Sequence, residues 1–221
     1  MLRIRLKVAS LLLAYAIGTP GIVAANEATL PVVFPRVFGA GEAPGASLTA
    51  FKRWTAVLER ALHEGPAYDA PCTLRLGGRC TVGEWRQMLL RLAGKPRREQ
   101  VDGVNAFFNR FPYVVDPANW EASDYWASPL QFLGRSGDCE DYAIAKFVSL
   151  RQLGFANAEL RIVVLDDANL GVAHAVLVVA DAGRLLVLDN QIPQVVDSTR
   201  ILHYKPIYSI NEERWWLHRG K

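Results

Sequence analysis

The chain has 221 residues, enough for one sizeable domain, and its 51% apolar and 10% aromatic content excludes a disordered chain. Its formal charge of +3 is 25 basic residues against 22 acidic ones. Arg3, Arg5 and Lys7 fall in residues 1–25, which hold no acid, so the remainder balances at 22 against 22 and the charge gives no support for nucleic-acid binding.

Residues 1–25 read as a cleavable secretory signal. Three bases precede an apolar run from Val8 to Ile17, and Val23-Ala24-Ala25 offers a small-residue cleavage site. The run is well short of the roughly 20 residues that a membrane-spanning helix needs. Export implies an oxidising compartment. Residues 26–46, rich in Pro, Gly and Ala, read as an irregular arm, and residues 47–221 as one domain.

Ser47 or Thr49 caps a predicted helix running to about His63, with Phe51, Trp54, Val57, Leu58 and Ala61 at helical spacing. Cys72 and Cys80 flank Gly77-Gly78, which suits a disulfide across a turn. Helices are expected over Val82–Leu92 and Arg98–Asn109. Residues 112–136 are irregular and aromatic, with Ser128-Pro129 starting a short helix through Gly134. A central helix follows from Cys139 to about Gln152. The pattern then turns to strands at 160–165, 172–179 and 184–189, the last two joined by a tight Asp181-Ala182-Gly183 turn, with a further strand at 206–210 and Trp215-Trp216 packing the C-terminus. Helices followed by an antiparallel sheet make an α+β fold: a helical layer packed on the sheet.

Cys139 is the odd cysteine, and in an exported chain that marks a candidate reactive thiol. It stands where a helix begins, and there the backbone N–H groups favour a thiolate. Asp138, Glu140 and Asp141 oppose this, because nearby negative charge raises a thiol pKa. A bound cation is the simplest resolution. Cysteine catalysis also needs a base and a group to orient it. His174 near the start of one hairpin strand and Asp189 at the end of the next fall at the same edge. A turn centred on Ala182 sets His174 opposite Asn190, with Asp189 one residue from opposite.

The segment Gly137-Asp138-Cys139-Glu140-Asp141-Tyr142-Ala143-Ile144-Ala145-Lys146 resembles the active-site segment of the bacterial transglutaminase-like cysteine proteinases, the LapG family. Asp124-Tyr125-Trp126-Ala127 with Ser128-Pro129, Ala173-His174-Ala175-Val176-Leu177 and Val187-Leu188-Asp189-Asn190 look like its other landmarks, over roughly residues 50–217. The resemblance implies a papain-like, transglutaminase-type fold with the nucleophile at the N-terminus of a central helix. It implies peptide hydrolysis by Cys139 as nucleophile, His174 as general base and acid, and Asp189 as the orienter of the imidazole. It also implies calcium held by Asp138 and Glu140 with Asp141, a ligand chemistry that suits a hard cation. Further implied are a periplasmic location, a large surface adhesin as substrate, cut near its N-terminal end at paired small residues, and sequestration by an inner-membrane cyclic di-GMP receptor. The Cys72/Cys80 pair is no landmark of that family. The same three residues also serve acyl transfer to an amine, while a complete Cys139/His174/Asp189 set argues against a non-catalytic binding module.

Overall fold

The structure, a computed structural model, describes residues 34–68 and 75–220. The expected signal segment, the first part of the expected arm and Cys72 lie outside the described residues. Cys80 is disulfide-bonded and Cys139 is free. Among the described residues no helix is long and apolar enough to cross a membrane.

In chain order the strands are β1 (Gly41–Gly45), β2 (Arg75–Leu76), β3 (Arg79–Cys80), β4 (Leu160–Asp167), β5 (Val172–Asp181), β6 (Arg184–Leu188), β7 (Val196–Asp197), β8 (Tyr204–Ile210) and β9 (Trp215–Arg219). The helices are α1 (Lys52–Tyr68), α2 (Thr81–Leu92), α3 (Arg97–Phe108), α4 (Asp116–Asn119), α5 (Pro129–Arg135) and α6 (Cys139–Gln152). Seven strands form one antiparallel sheet in the order β1-β9-β8-β4-β5-β6-β7, and β2 pairs with β3 as a separate ribbon. Helices packed on an antiparallel sheet make this the expected α+β architecture.

Side chains alternate across the sheet with the period of two that a strand imposes. Leu177, Val179, Leu186 and Leu188 join the helices in the larger core, while Val176, Val178, Leu185 and Val187 meet Val37, Phe38, Ile201 and Tyr204 on the other face. α6 is buried on most of its surface because it is enclosed by β4 and β5 on one side and by α3 and α5 on the other. Two buried tryptophans fix its far half. Trp54 packs edge-on against Phe147 with ring centroids 5.6 Å apart, and Trp85 Nε1 donates to Ser149 Oγ at 2.8 Å. Ser128 and Gln131 form the capping box that starts α5.

Three expectations change. Residues 41–45, expected to be irregular, form β1 against β9, and the C-terminal tryptophans lie in β9 itself rather than merely packing against the end of the domain. Pro44 hid the first strand, since proline is tolerated in a sheet only at an edge, and β1 is the edge. Arg161 anchors that edge: its guanidinium bonds Glu42 of β1 at 2.9 Å and stacks between Phe34 and Trp216. The β5–β6 hairpin also differs by one residue. Its loop is the pair Ala182-Gly183, with φ of 48° and 77°, which is the positive-φ pair of a two-residue type I′ turn. Asp181 therefore pairs with Arg184, and the ladder closes at Leu177 opposite Leu188.

Candidate active site

The chain enters the site through a strained corner. Ser136 is buried with φ 68° and ψ −164°, a backbone region otherwise left to glycine, and its hydroxyl donates to the Pro112 carbonyl. Val114 N–H donates to the Gly137 carbonyl at 2.9 Å, so the segment before α4 runs beside the lead into α6. Gly137 allows a close approach that no side chain would, since a Cβ there would drive into Asp141 Oδ2. Asp138 stands at the N-cap and Cys139 is the first residue of α6.

β5 runs on past the end of β6, and the start of α6 arrives in that gap. The Ala175 backbone N–H is directed at the Cys139 sulfur, and Cys139 and His174 line one cleft of about 390 Å³ with Tyr113, Asp124 and Trp126. The Tyr113 hydroxyl lies against the Cys139 backbone N–H.

His174 Nε2 is 3.0 Å from Asp189 Oδ1. Extending the ladder one residue beyond Leu188 sets Asp189 diagonal to His174 on the same face, whereas the register expected from sequence gave them opposite faces. Asp189 is buried and held on all sides. Its Oδ2 accepts from the Tyr204 hydroxyl at 2.5 Å, its Oδ1 from the Gln191 N–H at 2.8 Å, and its carbonyl from Asn109 Nδ2 at 2.7 Å. Burial pushes its carboxyl up, but the bonds from His174, Tyr204 and Gln191 outweigh this and leave its pKa lowered. An ionised carboxylate only accepts, so Nε2 carries the imidazole hydrogen and Nδ1 keeps its lone pair. Gln191 Nε2 sits 3.4 Å from that Nδ1.

Five carboxylates surround the other side of Cys139. Oxygens of Asp116, Asp138 and Asp141 lie within 4.8 Å of one another, as do oxygens of Asp116, Asp124 and Glu140. Asp141 accepts from the Ala127 N–H with Oδ1 at 2.6 Å, and Asp116 accepts from the Tyr125 N–H with Oδ2. Their remaining oxygens, Asp141 Oδ2 and Asp116 Oδ1, are buried with no hydrogen-bond partner, and so is Asp138 Oδ1. Three converging orphan carboxylate oxygens fit a hard divalent cation, and no sulfur or imidazole donor is needed to complete the set. Asp138, Glu140 and Asp141 were expected here. Asp116 and Asp124 are additions: Asp124 belongs to a stretch already singled out in the sequence, while Asp116 begins α4, far from Cys139 in the chain.

A model of the bacterial transglutaminase-like cysteine proteinases matches residues 68–218. The chain belongs to that family. Among solved structures, Legionella pneumophila LapG is 31% identical, with 74% of this chain and 84% of that one covered and a TM-score of 0.59. Its calcium-bound form gives 32%, 74%, 90% and 0.59, and its EGTA-treated form 30%, 80%, 89% and 0.60. No curated protein matches the chain.

Family membership makes this chain a cysteine peptidase of the transglutaminase-like kind, and its electrostatics sharpen the question raised by the sequence. The Cys139 thiol pKa is raised, first by burial and then by Glu140 and Asp138, with the Ala175 N–H pulling the other way. Cys139 Sγ donates to Glu140 Oε2 at 3.1 Å. Burial likewise raises Asp138, aided by Glu140 and Asp141, and raises Asp116. The Asp141 carboxyl is pushed up to about 8 by its burial, against the Ala127 hydrogen bond. Burial and mutual repulsion thus disfavour charge on Asp138, Asp141 and Asp116 and on the Cys139 thiol. Tyr204, Gln191 and Asn109 escaped the sequence reading because each acts through Asp189 from a distant or irregular segment.

Proposed function

We propose that this chain is a calcium-dependent cysteine endopeptidase of the periplasm that cuts the N-terminal region of a large surface adhesin, releasing it from the cell and promoting biofilm dispersal, and that an inner-membrane cyclic di-GMP receptor sequesters it. The observation that carries the peptidase reading is the 3.0 Å bond from His174 to Asp189 in a cleft shared with a helix-starting Cys139. The calcium reading rests on the orphan oxygens of Asp116, Asp138 and Asp141 and on the calcium-bound form of a related protein.

In this reading His174 Nδ1 takes the Cys139 proton while Asp189 holds Nε2–H and stabilises the imidazolium. The thiolate adds to the scissile carbonyl, and the Cys139 backbone N–H donates to the oxyanion. Collapse of the tetrahedral adduct breaks the C–N bond, and His174 returns the proton to the leaving amine. Water, deprotonated by His174, then releases the acyl group and regenerates the thiol. A bound calcium supplies positive charge beside the start of α6, offsetting Asp138 and Glu140 and favouring the thiolate. Asp116, Asp138, Asp141, Glu140 and Asp124 would hold it.

The test is cleavage of a recombinant N-terminal adhesin fragment. Native protein in calcium should release a fragment whose new N-terminus can be sequenced, and Cys139→Ala should release none. Unchanged cleavage by Cys139→Ala would remove the peptidase reading, and amine incorporation in place of hydrolysis would convert it to acyl transfer.

A further inference from the structure

Trp126 and Tyr208 form part of the wall of the cleft that holds Cys139. The same two rings line a neighbouring cavity of about 530 Å³, whose other walls include Phe51, Lys52, Arg53 and Trp54. Trp126 and Tyr208 therefore belong to both, which sets the far cavity directly beside the Cys139 cleft. The far cavity is built like a side-chain pocket. Phe51 is fixed by Tyr208 and Trp215, each at 5.2 Å between ring centroids, and Trp54 is buried with its ring 6.4 Å from Trp126. Its rim carries charge. Arg53 is committed to Asp124, its Nη2 lying 3.2 Å from Oδ2 of the acid nest. Lys52 is exposed and makes no ion pair among the described residues. The wall from Phe51 to Trp54 also precedes residue 68, where the family match begins, so it is contributed by a part of the chain outside that match.

We propose that this groove is a substrate subsite, remote from the scissile bond, that takes a large apolar or aromatic side chain followed by an acidic one. The inference rests on the peptidase reading for the identity of the occupant. Rigid aromatic walls desolvate an apolar side chain at small entropic cost, and an unpaired ammonium at the rim favours a carboxylate beside it. The wall it shares with the Cys139 cleft points to substrate as the occupant, and the mixed apolar and cationic lining sets its chemistry.

The test uses fluorescent peptides with a central Ala-Ala and a Phe-Glu pair walked along either flank, with a matched Gly-Lys set. Binding is measured by anisotropy on the Cys139→Ala variant, and cleavage on the native chain. One Phe-Glu position should bind about tenfold more tightly than its Gly-Lys counterpart. Phe51→Ala should remove the preference for Phe, and Lys52→Glu, at an exposed position, should invert the preference for Glu. Equal binding at every position, no measurable binding, or preferences untouched by both substitutions would overturn the proposal. Discriminating binding with no cleavage by the native chain would keep the subsite and sink the peptidase reading instead.

Discussion

Lys146 Nζ donates to Asn105 Oδ1 at 2.8 Å, deep in the core. The bond orients the Asn105 amide so that its Nδ2 donates to the Pro193 carbonyl at 3.0 Å, and Asn109, one turn along α3, donates to the Asp189 carbonyl at 2.7 Å. Lys146 lies two turns below Cys139 on α6. One helix thus carries Cys139 and, through α3, holds the segment that carries Asp189.

Lys146 should therefore cost stability and support activity. Burial depresses its pKa to about 7, with the Asp189 charge opposing. The unfolded lysine titrates near about 10.4. Between these values the unfolded chain binds the extra proton, so this group makes stability rise with pH across the window. Lys146→Met should flatten that rise in urea unfolding followed from pH 7 to 9.5, and should lower kcat while leaving the fold intact. Equal slopes in the two proteins would count against the assignment.

The acid nest has the opposite sign. Asp141 titrates near 8 in the fold and near about 3.9 unfolded, so without a cation its contribution is full at low pH and is lost as pH rises towards 8. In EGTA the melting temperature should fall from pH 5 to pH 8. Calcium should raise it, and by more at pH 8, because binding to the folded chain alone stabilises it. Thermal shift at the two pH values checks this, and a calcium response that is larger at pH 5 would contradict it.

Gly137→Ala places a methyl group against Asp141 Oδ2. Since that oxygen is one of the three orphans, the substitution should abolish the calcium-dependent thermal shift, and because Asp141 is buried and tied to the Ala127 N–H it should lower the metal-free melting temperature as well. Isothermal titration with calcium provides the direct measurement.

Tyr204→Phe removes the 2.5 Å bond to Asp189 Oδ2. A hydrogen bond to a charged group contributes about 1.5–3 kcal/mol, so kcat/KM should fall about tenfold or more. Asp189→Asn should cost more, about 10³–10⁴ in kcat, because an amide no longer fixes the imidazole hydrogen on Nε2. A Tyr204→Phe variant with native kinetics would leave Tyr204 as packing only.

Much of this site was legible in the sequence because its parts obey local rules. An apolar run after three acids specified α6 and put Cys139 at its start, and alternating strands around a short turn brought His174 and Asp189 to one edge. The register slipped by one residue because sequence alone does not say whether Asp181 belongs to the turn, and the φ of Ala182 decided it. Asp116, Tyr204 and Asn109 were illegible because their work depends on contacts between distant segments. β1 was hidden because its two glycines and its proline are residue types depleted in ordinary strands, and proline is tolerated only at an edge.

That edge bears on how the protein meets other chains. One border of the large sheet is β1, interrupted by Pro44, and the other is the two-residue β7. Neither offers an incoming strand a long row of free N–H and C=O groups. An unfolded polypeptide passing by finds no template for backbone pairing at either border, so self-association through strand exchange is suppressed and capture is left to the side chains of the cleft.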